Sequence, residues 1–319
     1  MLSAFFATLG FAFGVTAPIF LLVSLGVLFR RLHVIDEHFV NTASRIVFSA
    51  GLPTLLFVTI VKTDLSHVLN VKLIGTGLIF TIIVFLLLWL IAPLLINSRH
   101  DRGIFVQGSF RGNMGVVGLA FSINAYGDAG LAASSLYVAL LTVLYNILSV
   151  YVLTQTLAPE GSNFKKALIK SLLSNPIIIG IVCGLAVAIP AIPIHPILMS
   201  TGEYVAAMTL PLALICIGGS LSLTSLRQSS YVAFITVFMK LVAVPTLMML
   251  MALPLGFSKF ELGIFFLMVA SPTATASYIM VQAMKGDGVL AANIVVLSTF
   301  GSVLSVSIGL VLLKSFGAI

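Results

Sequence analysis

Residues 125–133 read "AYGDAGLAA" and residues 283–292 read "AMKGDGVLAA". Gly127-Asp128 returns as Gly286-Asp287, and Leu131-Ala132-Ala133 returns as Leu290-Ala291-Ala292, almost half a chain length later. To within a residue, the same spacing relates Pro18 to Pro176, Gly26 to Gly184, and Leu52-Pro53 to Leu210-Pro211. Each match alone is short. Four regions sharing one offset point to an internal duplication.

The composition says what was duplicated. The 319 residues are 60% hydrophobic and 8% charged, whereas a soluble domain carries about 25% charged residues. There is too little polar side chain to cover a globular surface, so lipid must be part of the solvent. Apolar runs of the ~20 residues that a membrane-crossing helix needs recur along the chain. Their edges fall at 11–29, 42–61, 73–96, 104–125, 131–156, 168–189, 203–223, 231–253, 260–284 and 290–313. Such continuous runs exclude a β-barrel, whose strands alternate. The sequence therefore predicts an all-α membrane protein of ten transmembrane helices.

The net charge of +7 is not a nucleic-acid signal, because the cations sit between the apolar runs. Arg30, Arg31, Arg45, Arg99, Arg102, Lys165, Lys166, Lys170, Arg227 and Lys285 flank the odd-numbered loops; only Lys62, Lys72 and Lys259 flank the even ones. The positive-inside rule then puts the odd loops in the cytoplasm and both termini on the extracytoplasmic side of an inner membrane. Residues 1–31 have no basic stretch ahead of their apolar run and read as a first span, not as a cleaved signal. Cys183 and Cys216 fall inside spans as packing residues, and the histidines show no metal-ligand spacing. No nucleotide-binding or hydrolytic motif is present. The expectation is a protein that is not an enzyme and carries no cofactor or metal.

Five spans separate equivalent positions. Five is odd, so the two copies, 1–157 and 158–319, run in opposite directions through the bilayer. That inverted-topology repeat is the architecture of many secondary carriers. Two equivalent spans also break the rules of a plain helix. Span four contains "GSFRGNMGVVGLAF" at 108–121, and span nine contains "MVASPTATASYIM" at 268–280. Glycines at 112, 115 and 118 surround Asn113, and Pro272 stands among Ser271, Thr273 and Thr275. Proline removes a helical hydrogen bond, and nearby hydroxyls or a ligand can satisfy the freed groups. Both interruptions fall near mid-bilayer, so helices four and nine are expected to be broken and to cross there. A half-helix that starts at mid-bilayer directs N–H groups and partial positive charge at that point. Close packing of small residues is the alternative use of the glycines.

Arg111 and Lys240 are the cations inside spans, while every acid falls in a loop or near a helix end. A buried cation needs compensation, and an anionic cargo would supply it. Two other readings stay open for Arg111: reaching the cytoplasmic face, or pairing with Asp101. Lys240 could instead be neutral or bond carbonyls near Pro245. The expected site comprises Arg111, Gly112, Asn113, Met114, Gly115, Ser271, Pro272, Thr273 and Thr275, with Tyr145, Asn146, Lys240 and Asn293 as wall candidates. For Asn146 and Asn293, interhelical hydrogen bonding is the other reading. Pro53 and Pro211 are expected to bend spans two and seven around the crossing.

The stretches "GLPTLLF", "RGNMGVVGLAF", "SNPIIIGIVCGL" and "ASPTATASYIM" resemble the auxin efflux carrier family of the bile/arsenite/riboflavin transporter superfamily, over nearly the whole chain. Many relatives have proline where this chain has Ala120. The resemblance implies a scaffold of spans one, two, six and seven, and a transport domain of spans three to five and eight to ten. It also implies an elevator-like shift of that domain and a homodimer joined through the scaffold. The combined expectation is a secondary carrier of a small organic anion, most simply a carboxylate. A channel or a substrate sensor on the same fold is the alternative.

Overall fold

Seven helices among the described residues are long and apolar enough to cross a membrane. The computed structural model describes residues 2–62, 70–157, 169, 173–220 and 230–319. Asp64, Glu160, Lys165, Lys166, Lys170 and Arg227 lie outside the described residues, as does the start of the second expected repeat at 158.

The long helices are α1 (Leu2–Arg31), α2 (Glu37–Lys62), α3 (Val71–Leu95), the stretch Met114–Leu157, α8 (Pro196–Ser220), α9 (Tyr231–Leu255) and α12 (Gly288–Ser315). Gly127 divides Met114–Leu157 into α5 (114–126) and α6 (128–157), because its φ of 60° and ψ of −144° are not helical. A Cβ on Gly130 would collide with the Ser122 carbonyl eight positions earlier. An uninterrupted helix would hold those residues about 12 Å apart, so α6 folds back along α5. The shorter helices are α4 (Arg99–Phe110), α7 (Pro176–Ala188), α10 (Lys259–Val269) and α11 (Thr275–Ala283).

Ten apolar runs and seven long helices differ for identifiable reasons. Span four is divided between α4 and α5, and span five continues from it as α6. Span nine is divided between α10 and α11. Of span six, α7 is the described helix.

The starts of these helices are written in the sequence. Asp36, Asn70, Ser98, Asn175, Ser230 and Asp287 each accept a backbone N–H of the first turn through their side chain. Ser258 and Glu261 form a full capping box on α10. Each such cap contributes about 1 kcal/mol. Prolines mark local widenings: a π turn at Val47–Gly51 precedes Leu52-Pro53, and another at Met239–Ala243 precedes Val244-Pro245. Proline cannot donate to the carbonyl four residues back, and the residue before it instead bonds five back, Leu52 to Val47 and Val244 to Met239. Pro211 lies inside α8.

Two helix pairs pack with their backbones nearly touching. On α1 and α8, a Cβ at Gly26 would stand 3.0 Å from the Gly219 nitrogen, and one at Gly218 would stand 3.0 Å from the Gly26 Cα. On α2 and α7, a Cβ at Gly180 would lie 2.6 Å from the Pro53 Cα. A second group is formed by α3, α4, α6, α9 and α12, where α4 packs on α3, α6 and α9. Gly26→Val should therefore force α1 from α8, costing roughly 1–3 kcal/mol; thermal melting in detergent measures it.

Candidate functional site at two paired helix breaks

Helix α4 ends at Phe110, and Arg111 continues in extended conformation (φ −80°, ψ 96°). The chain turns helical again at Met114 through a π turn, Met114–Gly118. Helix α10 ends at Val269, and α11 starts at Thr275. The two irregular stretches lie side by side and antiparallel. Asn113 N–H donates to the Pro272 carbonyl (2.6 Å), and Ala274 N–H donates to the Arg111 carbonyl (3.0 Å). Gly112 and Thr273 face each other in this single bridge.

The residue types follow from that geometry. A Cβ on Gly112 would stand 2.5 Å from Ser271 Oγ and 3.1 Å from Lys240 Nζ. Pro272 has no N–H to leave unpaired and gives its carbonyl to Asn113. The freed carbonyls of the first halves are capped by side chains. Thr273 Oγ1 donates to the Gly108 carbonyl (2.8 Å), Ser271 Oγ to Met268 (2.7 Å) and Lys240 Nζ to Val269 (3.0 Å). Thr273 N–H itself donates to Ser298 Oγ (3.1 Å). The opposite ends are treated differently. Neither Asn113 nor Ala274 places a side chain on the first N–H groups of the helix that follows it.

Arg111 is 6% exposed and extends toward α6. Its guanidinium donates to Ser149 Oγ and Asn146 Oδ1, both at 2.9 Å, with longer contacts to Met280 Sδ (3.3 Å) and the Tyr145 carbonyl (3.4 Å). Each of these acceptors is neutral. The described ion pairs are Arg30–Glu37 and Lys62–Glu203, so Arg111 pairs with no carboxylate among the described residues, Asp101 included. The Tyr145 ring meets Phe110 edge-on at 5.5 Å.

A cavity of about 380 Å³ opens beside the breaks, toward the side on which α4 begins. Of the residues expected from sequence, Arg111, Gly112, Asn113, Met114, Gly115, Tyr145 and Asn146 line it. Its wall also holds Phe48, Leu52, Thr142, Asn175, Ala274, Ile279 and Met280. Ser271, Pro272, Thr273, Thr275, Lys240 and Asn293 are not on this wall. Ser271, Thr273 and Lys240 instead hold the breaks together, and the carbonyl Lys240 meets is that of Val269, not one near Pro245. Asn293 is 2% exposed with its Oδ1 unbonded. Pro53 lies at the α2–α7 contact, and Pro211 lines a second cavity of about 670 Å³. That second space lies toward the other side, among α1, α2, α5, α6 and α8, with Lys62, Asp128 and Glu203 in its wall.

Chemically the smaller cavity is rich in donors. It offers a guanidinium, the amide of Asn146, whose Nδ2 has no partner, and two helix starts without side-chain caps. Guanidinium and helix N-terminal N–H groups both favour negatively charged oxygens. Among the described residues no cluster of His, Cys, Asp and Glu could hold a metal ion.

Comparison with known proteins agrees in kind. A family profile described as "Membrane transport protein" matches residues 11–310. An "Uncharacterized transporter" of Methanothermobacter thermautotrophicus is 24% identical over 303 residues, covering 92% of this chain and 96% of that protein. A protein of Rhizobium meliloti named "Putative malonate transporter" is 26% identical over 320 residues, covering 96% of this chain and 97% of its own.

Proposed function

We propose a cargo and a mechanism for this chain, which belongs to the membrane transport protein family and is a multi-pass membrane transporter. It is a secondary carrier of a small organic anion with a carboxylate head. The observation that carries this reading is the Arg111 guanidinium, buried on a cavity wall and bonded, among the described residues, only to neutral acceptors. Arg111, Asn146 and the starts of α5 and α11 hold the carboxylate, while Gly112, Asn113, Met114, Gly115 and Tyr145 shape the space around it. The relative named for malonate makes malonate the first compound to test. With one guanidinium on the wall, one anionic group on the cargo suffices.

The architecture we infer is an inverted repeat of two five-helix units, 1–157 and 158–319. Its support is local. Gly26 makes the close contact of α1 with α8, and its counterpart Gly184 makes that of α7 with α2, where a Cβ would lie 3.3 Å from Ile60 and Phe57. The reversals after α5 and after α11 carry positive φ at Gly127 (60°) and Lys285 (59°), the same offset apart. In this reading α1, α2, α7 and α8 form the scaffold and the homodimer contact. The remaining helices move as a transport domain, so that the paired breaks face the two cavities in turn. The odd loops are cytoplasmic in an inner membrane, which puts both termini outside.

Asn146→Asp tests the cargo. A carboxylate placed 2.9 Å from the guanidinium becomes an internal counter-ion and competes with the substrate. Uptake of radiolabelled carboxylates, malonate included, into proteoliposomes should show at least a tenfold rise in half-saturation at unchanged protein insertion. Unchanged half-saturation removes the anion reading. A flux that fails to saturate in the parent protein would favour a channel.

A further inference from the structure

Lys240 is the buried cation that the cavity does not use. It is 1% exposed, lies on the π turn Met239–Ala243 of α9, and lines neither cavity. Its Nζ donates to the carbonyl of Val269, the last residue of α10, at 3.0 Å. The position of a Cβ on Gly112 is 3.1 Å from the same nitrogen. The ammonium therefore sits directly behind the bridge that joins the two breaks. No carboxylate among the described residues pairs with it.

The end of a half-helix presents free carbonyls and partial negative charge. In carriers built on broken helices, such carbonyl ends are where an inorganic cation is held. Here the neighbouring carbonyl of Met268 is already taken by Ser271 Oγ, and that of Val269 by Lys240. At the other break the cation, Arg111, turns away to α6. The carbonyl end of α4 is capped by a hydroxyl, Thr273 to Gly108, and the position corresponding to Lys240 by the repeat offset is Ile82, an exposed apolar residue.

We infer that the Lys240 ammonium is a tethered counter-cation, occupying the place at the α10 carbonyl end that a dissociable ion such as Na⁺ would otherwise take. It acts as a positioning residue: it fixes the Val269 end of the break and neutralises the half-helix terminus without an ion from solution. The further consequence, that the anion is carried without co-bound Na⁺, rests on the transport reading above; the occupancy itself does not.

The test needs no substrate, so its failure is separate from failure of the anion reading. Thermal unfolding of the purified full chain in detergent is followed in sodium, methylammonium and choline chlorides at matched ionic strength. The parent protein should melt at one temperature in all three. Lys240→Ala should melt several degrees lower in choline and recover, saturably, in methylammonium or sodium. Lys240→Met, which fills the space without a charge, should melt lower and ignore the salt. Three results overturn the inference: stabilisation of the parent by sodium over choline, a Lys240→Met variant as stable as the parent, or a folded Lys240→Ala variant indifferent to small cations. If Lys240→Ala does not fold, the parent and Lys240→Met comparisons decide.

Discussion

Arg111→Ala is expected to abolish flux of the proposed carboxylate cargo in proteoliposomes while the protein still reaches the membrane. The guanidinium is the cation on the wall of the cavity beside the breaks. Removing one partner of a buried, hydrogen-bonded charge pair costs about 2–5 kcal/mol, which is roughly 30-fold to several-thousand-fold in affinity. Folding should survive, because the groups left behind, Ser149 Oγ, Asn146 Oδ1 and Met280 Sδ, are neutral and border a space that can admit water. Arg111→Lys separates charge from geometry. A lysine is a point charge that cannot reproduce a planar fork to two acceptors, so an intermediate loss is expected. Parent-like transport by Arg111→Ala, at equal protein per vesicle, would take the residue out of the site.

Gly112→Val should be more damaging to the fold than any other substitution on the cavity wall. The new side chain has nowhere to go: its first carbon already meets Ser271 Oγ and the Lys240 ammonium. Relief requires Ser271 and Lys240 to leave the Met268 and Val269 carbonyls, or the two breaks to separate, which gives up the hydrogen bonds Asn113 to Pro272 and Ala274 to Arg111. Overpacking of this kind costs about 1–3 kcal/mol, and each buried donor left unpaired adds about the same again. The variant should melt markedly below the parent and carry no measurable flux, with Gly112→Ala between them. A Gly112→Val protein that melts and transports like the parent would mean that the bridge is dispensable.

Both interruptions were visible in the sequence because they rest on residues with strong backbone preferences. Gly112 and Asn113 in one segment and Pro272 in the other interrupt apolar runs that would otherwise be uniform, and the repeat offset ties the segments together. The buried Arg111 was equally legible as a cation inside a span. What could not be read was pairing between distant segments. Nothing local says that Thr273 caps Gly108, that Ser298 takes the Thr273 N–H, or that Ser149 and Met280 receive Arg111. For the same reason Thr275 and Asn293 read as wall residues, while the wall holds Thr142, Asn175 and Met280. Asn175 had a signal that was available: it precedes Pro176 in "SNP", a helix start. Spans four and five illustrate the limit of apolar length. They run on as a single helical stretch, and only the backbone of Gly127 shows where it folds.

The bridge at Gly112 and Thr273 is made by amides and carbonyls, which every residue type possesses. Apart from the lack of room at Gly112 and the caps that Ser271, Thr273 and Lys240 place on the neighbouring carbonyls, nothing in it reads side-chain identity. Mutations in the surrounding lining can therefore accumulate without loosening the joint. A lineage that inherits it is free to change which molecule it accepts while keeping the same joint, so relatedness along the whole chain is a weak guide to diet.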